Sequence, residues 1–525
     1  MHELHLLLVA EGLAPPISRP SRLAGILAVA ADLDVYPASI TGHDRVITFL
    51  AKSPYDKHLG IVYRADDVPP TANAFQGAAE TMDLQGARVA IKLCARNHAN
   101  ALALRTHLPF LAPQCIGLAT SVGLGDRLGL ATPGHIRAVR DSGLRPFLAQ
   151  QSIREMTRTG RSPEQVLDDA TWGAFQEGFR DGFGSDADHL KTTDDIDACV
   201  AAGFTLFTID PGQRVDDAAD AAPPDQLAEK FRALPWDALE SSPTDCRTTY
   251  LAATPPLPPE VAFDVTEEAL LRAAAKYGAA IAHTARLYRH LAKAKGTEPF
   301  ELEMSVDETA SPTSPFEHYF VASELRRLGV AWVSLAPRFL GEFEKGVDFQ
   351  GDLAAFEASF AQHAAIARAL GPYKLSIHSG SDKFTVYPIA ARHAGELIHV
   401  KTAGTSYLEA LRALAAAAPE LFREIYDFAC EHYETDRASY HVSADLAKTP
   451  RIAHHKNAEL PDLLEHFHAR QVLHVTYGSV LNAKSADGSW LFRERLLDRL
   501  RQHEDVYTRV LERHLGRHIE PFRKG

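Results

Sequence analysis

The run KLSIHSGSDKF, residues 374–384, begins as an apolar strand and ends in a histidine, two further serines, an aspartate and a lysine. The same pattern recurs elsewhere. In ELEMSVDE, Leu302, Met304 and Val306 alternate with Glu303, Ser305 and Asp307, and in LIHVKT, Ile398 and Val400 alternate with His399 and Lys401. WVSLAPR repeats it more weakly, with Val333 and Leu335 set against Ser334 and Arg338. Side chains alternate faces along a strand, so in each run one face is aliphatic and the other carries acids, imidazoles and hydroxyls. Burying that many ionisable groups is costly unless they pair or bind something. Carboxylates and imidazoles that converge without a thiol cluster suit a divalent cation such as Zn²⁺, Mn²⁺, Co²⁺ or Ni²⁺. His378, at the end of its apolar run, is read as a site residue. Asp188 and His189 stand side by side in DADHLK, and on a regular strand both can serve one site only at a strand end.

Other chemistries have weaker anchors. HExxH and GxSxG are absent, so neither a zincin site nor a nucleophile elbow is signalled. In GLGDRLG, Gly123 to Gly129, the glycine spacing differs from GxGxxG, and the next strand ends in Gln150 and Gln151 rather than in a ribose-binding acid. The histidines His454, His455, His466 and His468 read as solvated. Arg127, Arg338, Lys383 and Lys401, together with Lys191, fall near the same strand ends. In a chain of formal net charge -13 they could form the local basic pocket that a carboxylate substrate requires.

The elements that must position these residues alternate strand and helix. Eight short runs ending in polar residues follow one another from residue 116: IGLATSVGLGDRLG, RPFLAQQS, DADHLKT, FTLFTIDP, ELEMSVDET, AWVSLAPRF, KLSIHSGSD and ELIHVKTAG. Helix signals separate most of them, with Thr132 and Pro133 read as N-cap and first residue of one helix and the stretch 352–371 ending in a glycine. Eight such units predict an α/β fold, a (β/α)8 TIM-type barrel over 116–410, with the polar clusters at its C-terminal mouth. Residues 1–115 are expected to form an N-terminal α/β cap with strands at RVITFLA and LGIVYRA, and 411–525 a mostly helical region with one strand at QVLHVTYGSV. Residues 211–263, rich in Ala, Pro and Asp, read as a long excursion between the fourth and fifth strands.

Composition narrows the class. With 46% hydrophobic and 23% charged residues in 525, the chain has the balance of a soluble globular protein. An acidic chain, with pI near 6.0, lacks the basic face that nucleic acid demands. The five cysteines are scattered and form no CxxC pair, which suits free thiols in the cytoplasm. MHELHLLLVA has no basic stretch before its apolar run and is not expected to be a signal peptide, and no segment reaches the length of a membrane span. Oligomeric state is not legible.

The segments GLGDRLGLATPGHI, DADHLKT, FTIDP, EMSVDET, VSLAPRF, KGVDF, IHSGSDKF and HVKTAGTSY, spread over about 115–410, resemble the tagaturonate/fructuronate epimerase family of hexuronate metabolism. That resemblance implies a barrel, a divalent metal, and the interconversion of two 5-keto hexonates that differ at one hydroxyl-bearing carbon. It also implies Asp188 as proton acceptor, Glu303 as a second acid/base, and His189 and His378 as metal ligands. A third ligand stays open: strand parity favours His399, with Glu342 and Asp348 as competitors. The inverted carbon is β to the ketone, so simple enolisation cannot remove its hydrogen, whereas retro-aldol cleavage and re-addition can invert it. A metal-dependent barrel aldolase or sugar isomerase, and a non-catalytic sugar-acid binding protein, are the rival readings.

Overall fold

A computed structural model describes residues 20–53, 56–84, 87–252 and 255–523, so the leading MHELHLLLVA lies outside the described residues. Eight parallel strands close a barrel in chain order: β7 (Ser121–Gly123), β8 (Arg145–Ser152), β9 (Gly184–Leu190), β10 (Leu206–Ile209), β11 (Glu301–Ser305), β12 (Ser334–Ala336), β13 (Lys374–Ile377) and β14 (Ile398–Lys401). Each coincides with one of the eight runs read from the sequence. The helices between them run antiparallel on the outside, as a parallel sheet with right-handed crossovers requires.

Local chemistry fixes where those helices begin. Ser152, Ser162, Thr192 and Ser314 each accept a hydrogen bond from the backbone N–H three residues on, and the side chains of Glu155, Gln165, Asp195 and Glu317 accept one from the cap backbone N–H. Two orphan donors are satisfied at each start, so the turn from strand to helix is set within a few residues. The first barrel helix, Thr132–Val139, starts differently from the expectation. Its cap is Ala131, which has no side-chain bond to give, and Asp126 does the work instead by accepting from the N–H groups of Leu128, Gly129 and Ala131. GLGDRLG is thus an aspartate-closed turn in which Gly129 sits at φ 73°. The helix Leu353–Leu370 is capped by Asp352 and stops at Gly371, as the sequence indicated. Between β10 and β11 the chain makes its long excursion through short helices before the 29-residue helix Glu267–Lys295 returns it.

Ahead of the barrel lies a six-stranded antiparallel sheet: β1 (Asp34–Val35), β2 (Thr41–His43), β3 (Val46–Lys52), β4 (Lys57–Arg64), β5 (Gly77–Leu84) and β6 (Ala87–Ala95). Its two faces follow strand parity. Ile47, Phe49, Val62, Val89 and Ile91 pack under the helix Pro20–Ala31 through Leu23 and Leu27, whereas Leu50, Leu59 and Ile61 join the main core.

After β14 the described chain is helical almost throughout. QVLHVTYGSV, expected as a strand, forms the helices Phe467–Val475 and Tyr477–Asn482. Its β-branched residues favour a strand locally, but Arg470, Gln471 and His474 are all buried and need partners on one side of a helix, so tertiary context overrides propensity. The last long helix, Glu504–Ile519, lies against Thr132–Val139. Gly134 permits that approach, since a Cβ there would stand 2.6 Å from Leu511 Cβ.

Candidate active site

The polar parity points into the barrel. Glu303 pairs in register with Thr208 on one side and Ser334 on the other, and Ser376 pairs with His399, all on the inward face of their strands. Lys401 joins them from β14. Its Nζ lies 2.8 Å from Asp186 Oδ2, 2.8 Å from Asp188 Oδ1 and 2.7 Å from Glu303 Oε1, and it donates to Thr208 Oγ1 at 2.8 Å. Gln150 donates to the other Asp188 oxygen at 2.7 Å.

His189 joins Asp188 by breaking the strand rule. The β9–β10 register shifts between Phe207 and Ile209, and His189 takes φ 55°, a left-handed value uncommon outside glycine. The irregularity turns two consecutive residues toward one place. His189 Nδ1 is held by Asp210 Oδ2 at 3.1 Å, which leaves Nε2 facing Asp188 Oδ1 at 3.8 Å. His378, the residue after β13, is held in the same manner. Its Nε2 lies 2.6 Å from Glu303 Oε1, while Nδ1 lies 3.3 Å from Asp307 Oδ1. The two rings stand edge to face with centroids 5.1 Å apart. His189 thus has one nitrogen oriented by a carboxylate and one turned to the site, while His378 is oriented by Glu303 on one nitrogen and meets Asp307, itself a carboxylate donor, on the other.

Donor atoms of Asp188, His189 and His378 lie within 4.8 Å of one another, as do those of His189, Asp307 and Glu308. The donor set fits a divalent cation. The electrostatics agree. Burial disfavours charge on both imidazoles, yet Asp188 and Asp210 push His189 up to about 10, and Asp307 and Glu303 push His378 up to about 9 against the opposing Lys401. Burial also opposes ionisation of Asp188 and Glu303, but Lys401 holds both below the ordinary carboxylate range. Asp186 is the acid of that group that burial pushes up, to about 6. A site so rich in anionic charge draws a cation, and metal would replace the protons that the imidazoles otherwise attract.

His399 is not brought to this group. It lies one layer deeper, with Nδ1 taken by Ser121 Oγ at 2.9 Å, and burial keeps it neutral. Glu342 turns outward to Arg338 and His441, and Asp348 accepts from Thr385 and from the Phe349 N–H. Strand parity gives the face a residue points to, not its height along the barrel axis. Of the basic residues, Lys401 is spent on carboxylates, and Lys383 is buried with Nζ donating to the carbonyls of Glu344, Val347 and Ser381. Arg127 pairs with Glu155 at 2.7 Å and lies 3.7 Å over the Tyr477 ring. Arg338 donates to Thr309 O at 2.7 Å and borders a mouth pocket of about 400 Å³. Glu303 is wholly buried and borders neither this pocket nor the narrower one beside Asp188.

The sequence reading missed several pocket residues. Asp307, Glu308, Arg154, Lys345 and Tyr440 all border the mouth. Asp307 was named on the polar face of its strand but given no role, whereas Glu308, inside the quoted EMSVDET, and Lys345, inside KGVDF, lay in segments singled out without the residues themselves. Arg154 and Tyr440 arrive from a helix and from the C-terminal region, where no pattern marked them.

Known proteins supply the context for this geometry. The tagaturonate epimerase family matches residues 36–522. The tagaturonate/fructuronate epimerase of Thermotoga maritima is 45% identical over 487 residues, covering 93% of this chain and 96% of its own. The native crystal structure of the fructuronate-tagaturonate epimerase of Cohnella laeviribosi superposes with a TM-score of 0.87 at 39% identity, over 96% of this chain and 99% of that one. Its one-glycerol complex gives 0.86 at 38% identity, over 96% and 99%. Such agreement in sequence along nearly the full length, and in structure around the same barrel, places the chain in the tagaturonate epimerase family.

Proposed function

We propose that the protein is a metal-dependent epimerase, an isomerase that interconverts D-tagaturonate and D-fructuronate by breaking and remaking a carbon–carbon bond. The observation that carries this reading is the pair of carboxylate-oriented imidazoles beside Asp188 at the barrel mouth, in a chain of this family. His189 and His378, with Asp307, would hold a divalent cation (Zn²⁺, Mn²⁺, Co²⁺ or Ni²⁺). When bound, that ion supplies Lewis acidity toward the ketone oxygen.

Asp188 accepts the proton of the hydroxyl on the carbon to be inverted. The O–H electron pair becomes the aldehyde C=O, the adjacent carbon–carbon bond breaks, and its electron pair moves into the ketone fragment as an enediolate. The aldehyde then presents its other face, the bond reforms, and the proton returns from Asp188 to the new hydroxyl. Lys401, 2.8 Å away, holds Asp188 ionised and oriented throughout. Glu303, read from the sequence as a second acid/base, is better placed to orient His378 and hold Lys401, since it touches no pocket. Arg154, Lys345 and Arg338 face the mouth with part of their charge available to the substrate carboxylate. A cytoplasmic setting suits the described free thiols, and among the described residues no helix is long and apolar enough to cross a membrane.

The direct test is incubation with D-tagaturonate, with D-fructuronate followed by NMR, before and after chelation and with metal restored. Release of three-carbon fragments as the sole products would favour an aldolase, and binding without turnover a sugar-acid binding protein.

A further inference from the structure

Asp382 stands four residues after His378, in the loop that links β13 to the helix Tyr387–Ala394. It is buried and adopts φ 63°, so something must hold it in a left-handed conformation. Both carboxylate oxygens are taken. Arg470 Nη2 donates to Oδ2 at 2.7 Å and His514 Nε2 lies 2.6 Å from Oδ1. The Asp382 N–H donates to His518 Nε2 at 2.9 Å, and His518 Nδ1 donates in turn to the His514 carbonyl at 3.1 Å. All three partners come from the C-terminal helices Phe467–Val475 and Glu504–Ile519.

Asp382, His514 and His518 have donor atoms close enough for a metal. The hydrogen bonds argue otherwise, because both His518 nitrogens are used by the backbone and the guanidinium of Arg470 already supplies the cation. The cluster instead continues into the active site. Arg470 Nε donates to Gly346 O at 2.7 Å, next to Lys345, and Lys345 Nζ lies 2.5 Å from Ser379 Oγ. Lys383 joins the same two loops through the carbonyls of Glu344 and Val347. Ser379 and Ser381 border the pocket beside His378.

We infer that the buried Asp382–Arg470–His514–His518 cluster is a positioning device, through which the C-terminal helices set the loop that carries His378 and Ser379 and the loop that carries Lys345. The cluster touches no substrate. It acts by holding those loops at the geometry the reaction needs, where a displacement near 1 Å costs on the order of a hundredfold in rate.

The test is His514→Ala and His514→Gln in the full-length protein, read in two ways: backbone hydrogen exchange at residues 379–386, and kcat for the epimerisation. Expected for His514→Ala is faster exchange in that loop with the barrel strands unchanged, and a kcat lowered about tenfold or more. His514→Gln, whose amide can still donate to Asp382, restores both. Unchanged exchange in the loop overturns the inference, and so does a faster-exchanging loop with wild-type kcat. Should His514→Ala fail to fold, the isosteric Asp382→Asn is judged by the same two readouts. The activity arm rests on the epimerase reading and the exchange arm does not, so an inactive wild-type protein would count against that reading and leave exchange to decide the tether.

Discussion

His378 Nε2 meets Glu303 Oε1 at 2.6 Å, and Glu303 is fully buried while His378 is nearly so. That contact fixes which ring nitrogen faces the pocket. Glu303→Gln keeps the shape but gives up the charge, so it is expected to weaken metal affinity ten- to a hundredfold and to lower kcat, with the barrel intact. Metal titration of the purified variant checks this. Wild-type affinity together with a lost proton-transfer step would return Glu303 to the acid/base role.

The three histidines of the barrel interior are expected to separate. His189→Ala and His378→Ala should lose bound metal and activity while retaining the far-ultraviolet circular dichroism of the wild type. His399→Ala should keep its metal, because Ser121 and not a ligand group holds its Nδ1. Metal content per chain decides, and a metal-free His399→Ala protein would restore it as a ligand.

Much of this architecture was legible because burial writes a period into the sequence. The eight barrel strands stand where apolar runs end in polar residues, and the inward face of β11, β13 and β14 follows from alternation alone. Height was not legible: His399 and His378 share a face, but their strands are offset so that Ser376, not His378, is level with His399. Nor was the bulge at His189, which depends on how β9 meets β10 and not on its own residues. Lys401 and Lys383 show the same limit for charge. Both were read as open cations, and only the packed structure reveals three carboxylates around one and three carbonyls around the other. His514 and His518, an i, i+4 pair on an amphipathic helix, gave no sign that they would reach a loop more than a hundred residues earlier.

Burial lowers Lys383 from 10.5 to about 7, against the pull of Asp382 and Asp348. A lysine whose folded value lies below its unfolded value binds fewer protons when folded, so between those limits stability rises with pH. The wild type should therefore gain stability relative to Lys383→Met as pH climbs from about 7 toward 10.5. Urea unfolding of both proteins at three pH values in that window measures the difference. A flat difference would mean that the folded protein keeps Lys383 charged throughout, paid for by its three carbonyl acceptors.

The route of inversion can be read from an isotope. In cleavage and re-addition, the hydrogen on the inverted carbon stays attached, because only a carbon–carbon bond and an O–H bond are remade. Product formed in deuterated water should carry no deuterium there. Asp188→Asn should suppress epimerisation by about two to four orders of magnitude, since a neutral amide cannot accept the hydroxyl proton. It should also remove an anion from Lys401, leaving Asp186 and Glu303 to share that ammonium. Stoichiometric deuterium at the inverted carbon would require direct C–H deprotonation, and an intermediate diketone would require transient oxidation. Either result refutes the bond-breaking route without touching the family assignment, which rests on agreement in sequence and structure along nearly the whole chain.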